Sequence, residues 1–181
     1  MREQGRGTFV RSHSADHMLD VFFRIVGHDG SHVLPTVRML RLQRRRADRH
    51  VAHMLRLAPR APVIAIDTLL SLNGKLAILD RMHLPRGLFP DLDERAFAQR
   101  DGTVYAFFQQ RFGITVVRAQ EFVTAVIANE ADAVLLEVPP GTPLLRIQRT
   151  AYTYRDLPVD SRVRLVRCDG HGYLGLLGSQ R

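Results

Sequence analysis

Hydrophobic positions in the first part of the chain follow two different periods. Two runs, residues 21–26 and 35–46, carry apolar side chains in the pattern of β-strands. Further along, Val51, Met54 and Leu55 recur at the i, i+3, i+4 spacing that places apolar side chains on one face of a helix. The pattern predicts two strands followed by a short amphipathic helix.

Two pairs of later runs predict β-hairpins. Residues 63–72 and 75–84 flank Asn73-Gly74, a dipeptide that suits a type I′ turn because both of its residues tolerate positive φ. Residues 144–154 and 157–168 flank Arg155-Asp156 in the same way. Strands joined by such short turns pair antiparallel, since a parallel pair needs a long crossover.

The remaining segments complete an alternating order of helices and strands. Residues 85–102 are predicted as a loop with a turn of helix near Leu88-Phe89, and the tail from 170 to 181 as a glycine-rich irregular end. Between the hairpins we predict a helix over 103–112, a strand over 114–128 and a short helix capped by Asn129. The sum is an α+β fold, one antiparallel sheet of about six strands with helices packed on it.

Composition narrows the class of protein. The chain has 181 residues, of which 45% are hydrophobic, enough for one globular domain. Lysine and arginine number 26 against 18 acidic residues, a net charge of +8, and Lys75 is the single lysine. This surplus favours anionic partners, either nucleic acid or acidic small molecules, although an arginine-rich codon usage explains it equally well.

The sequence shows neither a membrane-spanning segment nor the cysteines needed for an internal disulfide. No apolar run is long enough to cross a bilayer and no signal peptide is evident, so we expect a cytoplasmic protein without a membrane partner. One cysteine, Cys168, excludes an internal disulfide framework and a cysteine-rich zinc site.

Candidate chemistry is sparse. His50 and His53 share a helix face, but no third ligand stands at a suitable spacing, so no metal or cofactor is expected. Neither a Gly-x-Ser-x-Gly nucleophile motif nor a glycine-rich phosphate loop is present. This absence favours a binding module over an enzyme.

Four stretches follow one another over nearly the whole chain. They are Gln4-Gly5-Arg6-Gly7-Thr8-Phe9-Val10, the hairpin with its exit through Leu84-Pro85 and Leu88-Phe89-Pro90, Thr103-Val104-Tyr105 with Phe112-Gly113-Ile114, and Pro143-Leu144-Leu145 through Arg149 and Tyr152 to Pro158-Val159-Asp160-Ser161. In this order and spacing they resemble the effector-binding (UTRA) domain of GntR-family transcription regulators of the HutC type.

The resemblance implies a chorismate-lyase-like α+β fold that senses a small molecule within a homodimer. Residues 1–12 would be the remnant of a winged helix-turn-helix wing and linker, and residues 13–181 the effector-binding domain. Operator DNA would be contacted only through an N-terminal domain that this chain lacks. The expected effector is a small anionic or zwitterionic metabolite, because Thr68-Leu69-Leu70 replaces the Arg-x-Arg that holds phosphate in phosphosugar-sensing relatives.

The family's ligand-binding positions carry over residue by residue. The candidates are Thr68, Asp80, Thr103, Tyr105, Arg149, Asp160 and Arg167. For three candidates a purely structural role remains an alternative to ligand binding. Asp80 could form a surface pair with Arg81, Tyr105 could be an aromatic residue at the edge of the core, and Arg149 could form a structural ion pair with Asp160.

Two other functions remain open. One is a chorismate-lyase-like enzyme on the same fold, which pyruvate release from chorismate would reveal. The other is a dimerisation module whose pocket no longer binds ligand, which would gain no thermal stability from any candidate metabolite.

Overall fold

A computed structural model of the protein describes residues 23–175. The predicted wing remnant, residues 1–12, and the start of the first predicted strand lie outside these residues. No helix within the described part has the length and apolar character needed to span a membrane.

Six strands form the main sheet: β2 (Thr36–Arg46), β3 (Pro62–Leu72), β4 (Lys75–Pro85), β5 (Arg118–Ile127), β6 (Pro143–Tyr152) and β7 (Pro158–Arg167). Their order across the sheet is β2-β3-β4-β7-β6-β5. Every neighbouring pair is antiparallel, so the predicted α+β class and the sheet of six strands are confirmed.

Four short α-helices connect these strands, each with a side-chain cap at its start. They are α1 (Arg49–Met54), α2 (Glu94–Ala98), α3 (Val104–Phe112) and α4 (Glu130–Leu136). The caps are Asp48, Asp93, Thr103 and Asn129, whose side-chain oxygens each accept a hydrogen bond from a backbone N–H three residues later. Such a bond satisfies one of the N–H groups that a helix start leaves unpaired.

The two faces of the sheet carry different helices. Because successive side chains of a strand point to opposite faces, Ile64 and Ile66 lie on one face and Val63 on the other. The first face packs against α2 and α3 through Phe97 and Phe108, and it holds the largest apolar cluster. On the opposite face, one cluster packs against α4 and another against α1.

A second, two-stranded sheet joins the two ends of the described chain. Strands β1 (Ile25–Gly27) and β8 (His171–Tyr173) pair antiparallel, with Ile25 opposite Tyr173. Phe23 and Ile25 pack with Leu70, Ile78 and other residues at one end of the main sheet. The prediction of an irregular tail was therefore wrong for residues 171–173, whose pairing partner lies far away in the sequence.

Two other boundaries differ from the prediction. Strand β5 begins at Arg118 rather than at residue 114, because the chain first leaves α3 through a hydrogen bond from the Ile114 N–H to the Phe108 carbonyl. Helix α2 lies within the segment predicted as a loop, and a 3-10 turn at Arg86–Leu88 occupies the predicted helical turn.

Candidate ligand-binding site

A cavity of about 380 Å³ lies on the face of the sheet covered by α2 and α3. Side chains of β3, β4, β6 and β7 line it from the sheet, and the loop between α2 and α3 lines it from above. The polar lining residues are Thr68, Asp80, Arg100, Thr103, Tyr105, Arg149, Arg162 and Arg164.

Most of the remaining wall is apolar. Leu70 and Met82 come from the sheet, and Phe97 and Val104 from the helices. Four residues from the early part of the described chain also line the cavity: Phe23, Leu34, Pro35 and Val37. An apolar wall with a few converging polar groups is typical of small-molecule sites, and the volume falls in their usual range.

Asp80 on β4 is held by two arginines of the neighbouring strand β7. Its Oδ2 atom lies 2.7 Å from Arg164 Nη2 and 3.2 Å from Arg162 Nη1. All three side chains are buried. Burial raises the pKa of Asp80, but the two guanidinium groups outweigh burial and hold that pKa below its usual value.

Asp160 connects the same arginine to the tyrosine of α3. Its Oδ2 atom accepts a hydrogen bond of 2.9 Å from the Tyr105 hydroxyl and two from Arg162, at 2.8 Å from Nε and 2.5 Å from Nη2. Burial raises the pKa of Tyr105. The phenol is therefore a neutral hydrogen-bond donor at neutral pH.

Arg149 on β6 forms a second buried ion pair. Its Nε donates to Glu121 Oε1 on the edge strand β5 at 2.6 Å, and the Tyr173 hydroxyl donates to Glu121 Oε2. Burial raises the pKa of Glu121, but Arg149 and the Tyr173 hydroxyl outweigh burial and lower it. These contacts connect the cavity to β5 and to β8.

One side of the cavity carries a cation and a helix start. Arg100 lies just before α3, and its Nη1 donates to the Phe97 carbonyl oxygen at 2.6 Å while its guanidinium lies 4.2 Å from the centre of the Phe97 ring. Thr103 caps α3 through its hydroxyl, which accepts from the Ala106 N–H at 3.2 Å. A helix start presents free N–H groups and a partial positive charge to any anion placed there.

The structure brings most of the predicted ligand-binding residues together. Those that line the cavity are Thr68, Asp80, Thr103, Tyr105 and Arg149. Asp160 is not part of the lining; it lies behind Tyr105 and Arg162. Arg167 is also outside the lining and pairs instead with Asp169 and the Leu76 carbonyl oxygen.

Two of the structural roles considered for these residues were wrong. Arg149 pairs with Glu121 and not with Asp160. Asp80 is a buried partner of β7, whereas Arg81, on the opposite face, pairs with Asp132 at 2.6 Å.

The sequence analysis missed three arginines that line the cavity: Arg100, Arg162 and Arg164. A usable signal was present for two of them, because Asp160, Arg162 and Arg164 alternate along a strand and must share one face. Arg100 follows a helix that the sequence pattern did not reveal, so its position could not be inferred.

His50 and Cys168 each lie near an ordinary polar group. His50 lies 3.4 Å from the side-chain amide of Gln148, and the Cys168 thiol lies 3.7 Å from the Val166 carbonyl oxygen. Over residues 23–175, no group of three or more His, Cys, Asp or Glu side chains is arranged to hold a metal ion.

Comparison with known proteins identifies the family. The UTRA domain matches residues 31–171, most of the chain. The chain therefore belongs to the UTRA domains of the GntR family of transcription regulators, as the resemblance implied.

Individual relatives agree with this assignment. The chain is 30% identical over 175 residues to the Escherichia coli protein named "Probable transcriptional regulator PhnF", covering 93% of this chain and 69% of that protein. It is 26% identical over 159 residues to a protein of the same organism named "Probable fructoselysine utilization operon transcriptional repressor". That match covers 88% of this chain but 65% of the relative, so the chain spans about two thirds of such a regulator.

A solved structure of similar sequence supports the fold. It is the ligand-binding domain of a protein assigned to the GntR family of transcriptional regulators from Bordetella bronchiseptica. The TM-score is 0.82 at 32% sequence identity, and the match covers 86% of this chain and 96% of that one.

Proposed function

We propose that this chain is the effector-binding domain of a HutC-type GntR regulator and that it senses a small anionic or zwitterionic metabolite. The observation that carries the proposal is the cavity, whose apolar wall surrounds a buried cluster of arginines and carboxylates. Arginine suits such a ligand because its planar fork offers paired hydrogen bonds to a carboxylate.

The ligand would act through two arrangements of a dimer. A metabolite changes affinity for DNA only by binding one arrangement more tightly than the other. Operator contact would come from a DNA-binding domain outside residues 13–181, and the regulator would work in the cytoplasm, where its operator lies. The names of the relatives, which include a repressor, support this assignment.

The two edges of the sheet suggest where a homodimer forms. Strand β2 is rich in arginine, with Arg44, Arg45 and Arg46 exposed at one end, and such charge discourages strand pairing. On the opposite edge, β5 exposes Phe122 and Ile127, with 64% and 73% of their surface accessible. We infer that β5 faces the partner, because apolar edge strands are normally covered.

The proposed domain binds its ligand without transforming it. Every curated relative named above is a regulator, which supports binding over the enzyme alternative. Incubation with chorismate should therefore release no pyruvate above the rate of the uncatalysed reaction, and release that depends on Tyr105 or Arg149 would contradict the proposal.

Thermal-shift measurements with a panel of catabolic carboxylic acids test the proposed binding function. A ligand raises the melting temperature because it binds the folded state alone. Thr68→Val and Arg149→Ala should reduce the shift given by any ligand found, since both side chains line the cavity. Thr68→Val removes one hydroxyl at nearly constant shape, so it remains informative if Arg149→Ala fails to fold.

Arg167→Ala is the matched control. Arg167 was predicted to bind ligand, yet it pairs with the exposed Asp169 outside the cavity lining. Its replacement should leave the thermal shift unchanged. A shift that falls with Arg167→Ala but survives Thr68→Val would place the ligand elsewhere and contradict the proposal.

A further inference from the structure

The buried charges beneath the cavity balance one another. Three arginines, Arg149, Arg162 and Arg164, each lie within 3.2 Å of a carboxylate. The three carboxylates are those of Asp80, Asp160 and Glu121. Arginine stays protonated in proteins, and the guanidinium groups hold the pKa values of Asp80 and Glu121 below their usual range. The six side chains together therefore carry no net charge.

Arg100 adds one positive charge to this neutral cluster. It lines the cavity, yet among residues 23–175 no carboxylate lies within ion-pair distance of its guanidinium. Its Nε atom is buried and has no hydrogen-bond partner in the described structure. Nearby, the start of the nine-residue helix α3 adds partial positive charge at Thr103 and Val104. This side of the cavity thus suits one anionic group.

The floor of the cavity, formed by Asp80 and Arg164, offers one hydrogen-bond acceptor and one donor that are unpaired among residues 23–175. Asp80 Oδ1 and Arg164 Nε are buried without a hydrogen-bond partner in the described residues, one an acceptor and the other a donor. A neutral hydroxyl suits this place because it can donate to the carboxylate and accept from the guanidinium. An ammonium group could donate to Asp80 Oδ1, but it has no lone pair to accept a hydrogen bond from Arg164 Nε, which would stay unsatisfied.

We propose that the cavity selects a hydroxy monocarboxylate with an apolar body, its carboxylate at Arg100 and the start of α3 and its hydroxyl at Asp80. This inference rests on the proposed effector-binding function and specifies its ligand class. The apolar body fits the wall formed by Phe23, Val37, Leu70, Met82 and Phe97. A phosphate dianion would bring a second negative charge with no positive partner, and leaving that charge partly desolvated is costly.

Four acids that share a phenyl body separate these requirements. Mandelate has the carboxylate and the hydroxyl, phenylacetate lacks the hydroxyl, and phenylglycine replaces it with ammonium. Benzyl phosphate also lacks the hydroxyl and is compared with phenylacetate, because it replaces the carboxylate with a dianion. Titration calorimetry of the full chain at pH 7 should show mandelate binding most tightly. Phenylacetate and phenylglycine should each bind about tenfold more weakly than mandelate, the usual effect of one unsatisfied or repelled buried group, and benzyl phosphate should bind more weakly than phenylacetate.

Replacement of Arg100 tests the anion position directly. Arg100→Gln should weaken mandelate binding about tenfold while leaving the neutral 1-phenyl-1,2-ethanediol unaffected, because the ethanediol has no charge to lose. Arg95→Gln is the matched control: Arg95 lies on α2, outside the cavity lining, and its Nε donates to Gln99. It should leave mandelate binding as it is in the parent protein.

The outcomes separate this inference from the proposed function. Benzyl phosphate or phenylglycine binding as tightly as mandelate would overturn the monocarboxylate selectivity while leaving effector binding intact. Failure of all four probes, together with binding of another metabolite in the thermal-shift panel, would have the same meaning. If no metabolite binds in either experiment, the inference and the proposed function both fail.

Discussion

At Arg162, one guanidinium is shared by two buried carboxylates. Removing charges from water is expensive, and the attraction within such a cluster offsets the expense only when geometry and hydrogen bonding are good. The Asp160 contacts at 2.5 and 2.8 Å and the Asp80 contact at 3.2 Å supply that geometry. Loss of any one partner leaves an uncompensated buried charge, so these side chains stabilise the folded protein.

Acid should weaken the Arg149–Glu121 ion pair. Because the pKa of Glu121 is lowered in the folded protein, its ionised form stabilises that state above the unfolded-state pKa of about 4.3. This contribution is lost as the pH falls through the lower, folded-state pKa. We expect Glu121→Gln to cost about 3 kcal/mol at pH 7 and progressively less below pH 4, as measured by urea unfolding.

Glu94→Gln is the control for this titration. Glu94 is an exposed glutamate at the start of α2 and forms no ion pair with the described residues. Its pH dependence of unfolding should follow that of the parent protein. A Glu121→Gln penalty that stays constant from pH 7 to pH 3 would show that the carboxylate charge is not what stabilises the fold.

Single residues also show how far sequence reasoning reaches into the site. Asp80 and Tyr105 could be placed by motif resemblance, because each keeps a recognisable position relative to a turn or a helix start. Sequence reasoning did not identify Arg162 and Arg164 as cavity-lining residues, because a charged residue in a strand is normally expected to face solvent. Their burial depends on carboxylates from β4 and from β7 itself, and a local pattern does not show which strands become neighbours.

At the scale of elements, the hairpin between β3 and β4 follows directly from its turn. Asn73 and Gly74 have φ values of 50° and 75°, the left-handed conformation that a type I′ turn requires. The turn pairs Leu72 with Lys75, and a register shift between Leu70 and Ser71 then brings Thr68 opposite Asp80 in the cavity floor. The turn starts the hairpin, but the shift decides which residues of β4 face the cavity beside Thr68.

Gly74→Ala should destabilise the protein by about 1–2 kcal/mol, because a Cβ atom is unfavourable at positive φ. Gly87→Ala is the matched control, since Gly87 has no positive φ and a Cβ atom there would meet no other atom within 4 Å. Its unfolding free energy should stay within about 0.5 kcal/mol of the parent. Equal losses at both positions, measured by urea unfolding, would contradict the role assigned to the turn.

Other elements could not be predicted for physical reasons. Helix α2 has five residues, too few to display a helical period, and its clearest local mark is the capping Asp93. Strand β8 has three residues and exists because β1, almost the whole chain length away, pairs with it. Both elements are stabilised by tertiary packing, which the sequence pattern does not express.

At the scale of the molecule, the contrast between the two sheet edges makes the proposed dimer testable. Phe122→Lys on β5 should weaken self-association at least tenfold, because it places a charge in an apolar interface. Sedimentation velocity over a range of protein concentrations measures the effect. Gln43→Lys on β2 makes a similar exposed change on the opposite edge and should leave association unaltered. Dissociation by Gln43→Lys alone would assign the interface to β2.

Phe23 is the first residue that the structure describes, and its ring already forms part of the cavity wall. Leu34, Pro35 and Val37, a few positions later, also line the cavity. A molecule bound in the cavity, as proposed, would therefore contact the segment that leads back toward residue 1. The conformational effect of ligand binding would then reach a domain joined to that end directly along the polypeptide backbone. It would not have to pass through the sheet.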